Sequence, residues 1–236
     1  RGCAISAVHF IKAALQDIPI VYPQGTRYET LSRREIMYQD LEAHPWLRLL
    51  YGMVISNTYD KDCPIDEKLI VPVDLAEIWQ QSTVNGKVFA EYIGDIVSST
   101  HTESESPFIT PQLFAWILLL ITLLLITVGA QWWKWVLLGL QCFVGVFLLY
   151  MALFTQLFMS AGWLMMVLFN PLPLLLWKWH KYWQLPYAVL LLIEALVLVC
   201  WPHMLVDPAY IILLLSYSVL FASEPIKHAY ARRKAI

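Results

Sequence analysis

Between Glu105 and Lys134, and again between Lys134 and Lys178, the chain carries no Asp, Glu, Lys or Arg. The second gap covers positions 135–177, 43 residues, and a bilayer core about 30 Å thick is crossed by about 20 apolar helical residues. That gap alone holds two crossings. A soluble core helix keeps a polar face, and these runs have none on any side. Residues 107–223 therefore read as a membrane block. Composition agrees, with 59% hydrophobic and 14% charged residues and a mean hydropathy of +0.58, a profile of membrane proteins.

Five spans are expected, over about Gln112–Ala130, Val136–Phe154, Gly162–Trp177, Pro186–Cys200 and Pro208–Ser223. Trp132, Trp133, Trp135, Trp177, Trp179 and Trp183 cluster at span ends, as interfacial indoles do. Lys134, Lys178, Lys181 and the tail residues Lys227, Arg232, Arg233 and Lys234 fall on loops one and three and the C-terminus. Loops two and four, Thr155–Ala161 and Trp201–Asp207, hold no Lys or Arg. The positive-inside rule then makes the basic side cytoplasmic, and five crossings put residues 1–106 outside. The third span contains Asn170-Pro171-Leu172-Pro173, so it is expected to be broken, with neighbouring helices satisfying the freed carbonyls. Glu194 lies near the middle of the fourth span, where an ionisable group is costly and is a functional candidate by default. A protonated carboxyl bonded to a neighbouring helix is the plainer alternative. His203 and Asp207 fall in an outer loop at headgroup level.

The formal charge of −2 conceals a split: residues 1–110 hold 9 Lys+Arg against 15 Asp+Glu, and residues 111–236 hold 7 against 3. No concentrated basic face exists on the polar half, which excludes a nucleic-acid footprint. Helices are expected over Ala4–Gln16, over Thr30–Leu41 with Arg33 and Arg34 facing solvent, from His44-Pro45-Trp46 onward, and over Asp74–Gln81 with Asp74 as cap. Ile20–Tyr22 reads as extended, Asn85-Gly86 as a turn, and Val88–Ile96 as strand-like. The chain divides into a polar part over 1–97, a linker over 98–110, the bundle over 111–224 and a basic tail over 225–236. The opening residues read like the interior of a domain, so further sequence is expected upstream of Arg1.

Four cysteines, Cys3, Cys63, Cys142 and Cys200, form no zinc-type spacing. Cys142 and Cys200 read as small core residues, and a Cys3–Cys63 disulfide is open if this half lies outside the cytoplasm. The run Asp60-Lys61-Asp62 to Asp66-Glu67 lacks the glycine and glutamate of a calcium loop and reads as a solvated acidic loop. No metal or diffusible cofactor is expected. Cys3 directly precedes a helix, where the dipole and free N–H groups lower a thiol's pKa and favour the nucleophilic thiolate; a structural cysteine is the competing reading. His9 is six residues on, about 240° round the helix, and makes a poor partner. His44, before Pro45 and Trp46, is placed to cap a helix.

Taken in order, Gly2-Cys3-Ala4 before a helix, His44-Pro45-Trp46-Leu47-Arg48-Leu49-Leu50-Tyr51-Gly52, Pro64-Ile65-Asp66-Glu67, Val71-Pro72-Val73-Asp74-Leu75 and the Asn170-Pro171-Leu172 break form a familiar series. The chain resembles the C-terminal part of a bacterial lipoprotein N-acyltransferase family, in which a periplasmic, permuted papain-like domain precedes a multi-span membrane tail. The resemblance implies a helical membrane bundle of about five spans preceded by a partial α+β papain-like extracytoplasmic domain. Cys3 would be the nucleophile, with the general-base histidine upstream of Arg1. His44, Trp46, Asn170, Glu194 and His203 would be lipid or substrate contacts. Gly2 departs from the family's asparagine, and Ile5-Ser6 from its Thr-Arg.

The implied activity moves a fatty acyl chain from a membrane phospholipid, through a cysteine thioester, to the N-terminal amine of a lipidated apolipoprotein in the bacterial inner membrane. Two other readings compete: a membrane-tethered papain-like cell-wall amidase or peptidase, and a non-enzymatic assembly or transport protein. Few polar residues occur in the spans beyond Glu194, Asn170, Gln141 and Gln156, which disfavours a transport path.

Overall fold

A computed structural model describes residues 3–16, 18–55, 57–94, 107–154, 167–176, 179–200 and 206–234. The chain forms two compact units, one of residues 1–43 and 59–105, the other of residues 44–58 and 106–236. Residues 44–58 thus group with the apolar block rather than with the rest of the polar half.

The first unit is built from short elements. Helix α1 (Cys3–Ala14) buries Ala4, Ile5 and Val8, while Ile11 further along it is half-buried. Strand β1 (Ile20–Val21) follows, then α2 (Arg27–Thr30) and α3 (Arg33–Asp40). Ser32 caps α3 in a reciprocal box: its hydroxyl accepts from Glu35 N, and Glu35 accepts from Ser32 N at 2.6 Å. That arrangement satisfies two N–H groups otherwise orphaned at a helix start. Beyond the 44–58 segment, whose helix α4 (Pro45–Val54) belongs to the second unit, come α5 (Ile65–Lys68) and α6 (Pro72–Gln81). Proline at the first position sets the start of α6 at Pro72, so Asp74 lies inside the helix and is not its cap.

Strands β2 (Thr83–Val84) and β3 (Lys87–Val88) complete an antiparallel sheet of order β1-β2-β3, with Ile20 opposite Val84 and Thr83 opposite Val88. Asn85 and Gly86 turn the hairpin with φ of 52° and 74°, the left-handed pair that a two-residue turn requires. The extended run expected over Val88–Ile96 is strand only at Val88; residues 89–94 form no strand and the remainder lies outside the described residues. The core is Ala4, Val8, Tyr28, Ile36, Leu69, Leu75 and Ile78.

The second unit is a helical membrane bundle. Its described residues hold four helices long and apolar enough to cross a membrane, over Pro111–Val128, Gln131–Tyr150, Tyr182–Cys200 and Pro208–Ile226. The helices that carry them are α7 (Pro111–Val128), α8 (Gln131–Phe154), α10 (His180–Cys200) and α11 (Pro208–Lys234), with the single turn α9 (Leu172–Leu175) before α10. Six of the sixteen residues of the third expected span, 162–166 and 177, lie outside the described residues. Gly129, at φ 79°, ends α7 in a Schellman motif, its N–H on Ile126 O and the Ala130 N–H on Leu125 O.

Side-chain contacts fix the helix directions. Trp183 and Tyr187 near the start of α10 meet Phe221 late in α11, while Glu194 meets Tyr210 early in it. Hence α10 and α11 are antiparallel. Lys134 pairs with Glu224, and the Tyr217 hydroxyl donates to Leu137 O at 3.0 Å, so α8 also runs opposite to α11 and parallel to α10. Lys134, in the first turn of α8, and Glu224, leading into the basic tail, share one end of the bundle. Interior contacts are small or aromatic: Ala115, Ala188, Ala195 and Ala209 pack beside Tyr210, Tyr217 and Phe221, as membrane helices approach closely over small side chains.

Candidate functional site

Cys3 is the first residue of the 12-residue helix α1, where N–H groups without intrahelical acceptors face outward. Its side chain lies outside the described residues. His9 is exposed on the same helix. Cys63 is a free, half-buried thiol. Burial pushes its pKa up, against the opposing influence of Arg33. That makes it the weaker nucleophile at neutral pH.

The acidic run is only partly solvated: the Asp62 side chain is 92% exposed, whereas Asp60 and Asp66 are mostly covered. Asp60 holds Arg34 through two contacts of 2.6 and 3.2 Å, Asp62 accepts from Lys68 Nζ at 3.0 Å, Asp66 pairs with Lys12, and Glu67 pairs with Arg33 at 3.7 Å. Arg34, expected to face solvent, is 5% exposed. The Lys68 hydrogen bond holds the Asp62 carboxyl below the ordinary carboxylate range. Each acid answers a base on α1, α3 or α5, so the loop is the counterface of those helices. Among the described residues, no group of three or more His, Cys, Asp or Glu side chains is placed to hold a metal ion.

His44 and Trp46 belong to the bundle. His44 is the N-cap of α4, yet its side chain makes no capping hydrogen bond. The Trp46 indole N–H donates to Ile109 O at 2.8 Å, and its ring meets Phe114 edge-on with centroids 5.6 Å apart. Two residues on, and so about 200° round the helix, Arg48 reaches the start of α11. Its Nε and Nη2 donate to Asp207 Oδ2 at 3.3 and 3.2 Å, while Asp207 Oδ1 accepts from Ala209 N at 3.0 Å. Asp207, expected as a headgroup contact, is thereby 4% exposed and engaged within the protein.

Asn170 stands at the break. Its side chain donates to Val167 O at 2.7 Å and to the Tyr187 hydroxyl at 3.0 Å, and accepts from Leu172 N at 3.1 Å. Tyr187 donates to Val167 O at 2.6 Å, and Gln141 on α8 donates to Leu168 O at 2.6 Å. The carbonyls left open by the proline-rich break are thus satisfied by side chains, two of them on neighbouring helices, as hydrocarbon surroundings demand. Asn170, Leu172, Pro173, Trp183, Tyr187 and Leu190 line an apolar groove of about 280 Å³.

Glu194 is 4% exposed. The Tyr210 hydroxyl donates to its Oε1 at 2.8 Å, and Oε2 has no hydrogen-bond partner. A carboxylate with one donor in hydrocarbon is poorly compensated, so the geometry suits the neutral acid. His203 lies outside the described residues.

Of the expected contact residues in the bundle, Trp46 stands on α4, while Asn170 and Glu194 are linked through Phe169 and Tyr210, whose ring centroids are 6.3 Å apart. Trp46 and the Arg48–Asp207 pair mark the end of the bundle where α7 and α11 begin. Asn170 also bonds the Tyr187 hydroxyl, and the Tyr187 ring meets Phe221 further along α11 with centroids 5.0 Å apart. Glu194, through Tyr210, sits one turn below Asp207. Sequence reasoning missed Arg48, Tyr187 and Tyr210, which hold these places together. A lone arginine in an otherwise uncharged helix, and tyrosines within apolar runs, were the available signals. No family model, curated protein or solved structure matches the chain.

Proposed function

We propose that this chain is the C-terminal part of a cysteine-dependent acyltransferase of the bacterial inner membrane, which acylates the N-terminal amine of lipoproteins. The observation that carries the reading is Cys3 at the first position of α1, a place that favours the thiolate, in a chain whose other unit is a membrane bundle. The Cys3 thiolate attacks an ester carbonyl of a phospholipid; the C–S bond forms, the C–O bond breaks, and lysophospholipid leaves with a proton. The α-amine of the lipidated acceptor cysteine then attacks the thioester, forming an amide, and the thiol is regenerated. The general-base histidine is expected upstream of Arg1, together with the remainder of a papain-like domain.

Five crossings, with the polar part periplasmic and the tail cytoplasmic, suit this chemistry. Supporting five is the parallel course of α8 and α10. Supporting the orientation is the clustering of basic residues on loops one and three and the tail.

The test replaces Cys3 by Ser in the chain with its natural upstream sequence and follows acylation of a diacylated lipoprotein peptide by mass spectrometry. Loss of transfer and of a trappable thioester is expected. Transfer at the unsubstituted rate overturns the mechanism.

A further inference from the structure

Helix α4 carries two apolar stripes. Leu49 and Met53, four residues apart, are buried in the bundle core at 6% and 9% exposure. Leu47, Leu50 and Tyr51, at the 3–4 spacing of a second stripe, stand 45%, 54% and 50% exposed. The only charged residue of the ten, Arg48, is committed to Asp207. A helix in water presents a polar outer face, and this one presents leucines and a tyrosine.

What covers that stripe is indicated by its neighbours. Trp46 is bonded to Ile109, the residue before the Thr110 cap of α7, and stacks on Phe114 one turn into the span. Phe108, Ile109, Leu113 and Phe114 are themselves exposed, at 95%, 45%, 44% and 41%. The outer stripe of α4 therefore continues the apolar surface with which α7 meets lipid. Tryptophan at the mouth of a span and tyrosine beside it are the residues that settle at the boundary between headgroups and acyl chains.

We infer that α4 is an interfacial helix whose Leu47, Leu50 and Tyr51 side chains enter a phospholipid leaflet at the end of the bundle where α7 and α11 begin. Helices of this kind lie with their apolar face buried about 5–10 Å into the boundary. Here the bundle holds the opposite face, so the protein supplies the docking that a free amphipathic helix lacks. The inference rests on reading the second unit as membrane-embedded, and Arg48–Asp207 with Trp46–Ile109 fixes the depth of the residues on either side of α4.

The test uses the full chain with its four cysteines replaced by Ser, reconstituted in phosphatidylcholine and phosphatidylglycerol vesicles. Nitroxide labels are placed singly through Leu47→Cys, Leu50→Cys and Tyr51→Cys. Leu124→Cys on α7, where the native leucine is 62% exposed, serves as the lipid control, and Lys61→Cys serves as the water control. Power saturation against oxygen and a nickel chelate is expected to give oxygen-dominated accessibility at the three α4 sites, as at Leu124, and nickel-dominated accessibility at Lys61. Nickel accessibility equal to that of Lys61 at the α4 sites places the stripe in water and overturns the inference. Low accessibility to both reagents means a protein cover and overturns it equally. A water-like signal at Leu124 instead sinks the membrane reading of the bundle, separately from α4. In the native-cysteine background, a diazirine amino acid at Leu50 is expected to yield phospholipid adducts on illumination; adducts to protein alone refute the inference without the cysteine-free chain.

Discussion

In the first unit six ion pairs run through the body of the fold, joining α1, α2, α3, α5 and α6 to one another and to the acidic run. In the bundle the described ion pairs are two and stand at opposite ends, Arg48–Asp207 where α11 begins and Lys134–Glu224 where its span finishes. Between them the polar contacts are neutral: Tyr217 to Leu137 O, Ser218 to Ala188 O, Ser216 to Ile212 O, Gln141 to Leu168 O. Each unit has adapted to its solvent. Where water reaches the rim, charge pairs can stitch short helices that have little apolar surface to bury. Where lipid surrounds the helices, an ionised group is tolerated only at the ends, and backbone carbonyls become the acceptors of choice.

The sharpest way to break this contrast is to strand a charge in the bundle. Arg48→Met leaves the Asp207 carboxylate buried without its partner and is expected to cost about 3 kcal/mol, read as a lowered thermal transition in detergent micelles. Adding Asp207→Asn should restore part of that loss, because the amide needs no counter-charge. Next in size is Gly145. A Cβ there would stand 2.9 Å from Phe169 O and 3.0 Å from Asn170 N and Cα, so Gly145→Ala should destabilise the bundle by about 1–3 kcal/mol. Gly139 on the same helix has nothing within 4 Å of its virtual Cβ. Gly139→Ala should therefore have the opposite sign, a gain of up to about 1 kcal/mol from helix propensity alone.

In the first unit, Ser32→Ala removes one half of the α3 capping box at a cost of about 1 kcal/mol. Hydrogen exchange should rise over peptides from α3 while α7 to α11 keep their protection. The smallest effect is at alkaline pH. Burial raises Tyr22 and Tyr28 to about 12, so the folded first unit favours their neutral forms. Their contribution is fully present below the ordinary tyrosine value near 10 and is lost as pH rises through about 12. Tyrosinate absorbance should show the two late titrations merging into unfolding of that unit. Ordinary tyrosine titration with no coupled unfolding would contradict the burial seen here.

Local signals in the sequence translated well. The charge-free runs became apolar helices, Asn85-Gly86 turned its hairpin, and the Asn170-Pro171 break took its hydrogen bonds from neighbours. Errors arose where the deciding contact is distant. Asp60, Asp66 and Glu67 looked solvated because their cations lie on other helices, Asp66 to Lys12 being 54 positions away, while Asp62 does face solvent. Asp207 looked free for lipid because Arg48 precedes it by 159 residues. The misplaced Asp74 cap is of another kind, since Pro72 announced the helix start two residues earlier. The candidate nucleophile was legible only as a position at a helix start.

That separation of 159 residues also orders events during synthesis. The seat of α4 is made from the start of α7 and the start of α11, the last of the long helices to leave the ribosome. At about 5–20 residues per second, Arg48 waits on the order of ten seconds for Asp207. Throughout that interval the inner stripe of α4 lacks the α11 half of its seat. The nascent chain therefore carries a sticky helix at the membrane surface well before its berth is complete, and the span that begins at Pro208 is the one that secures it.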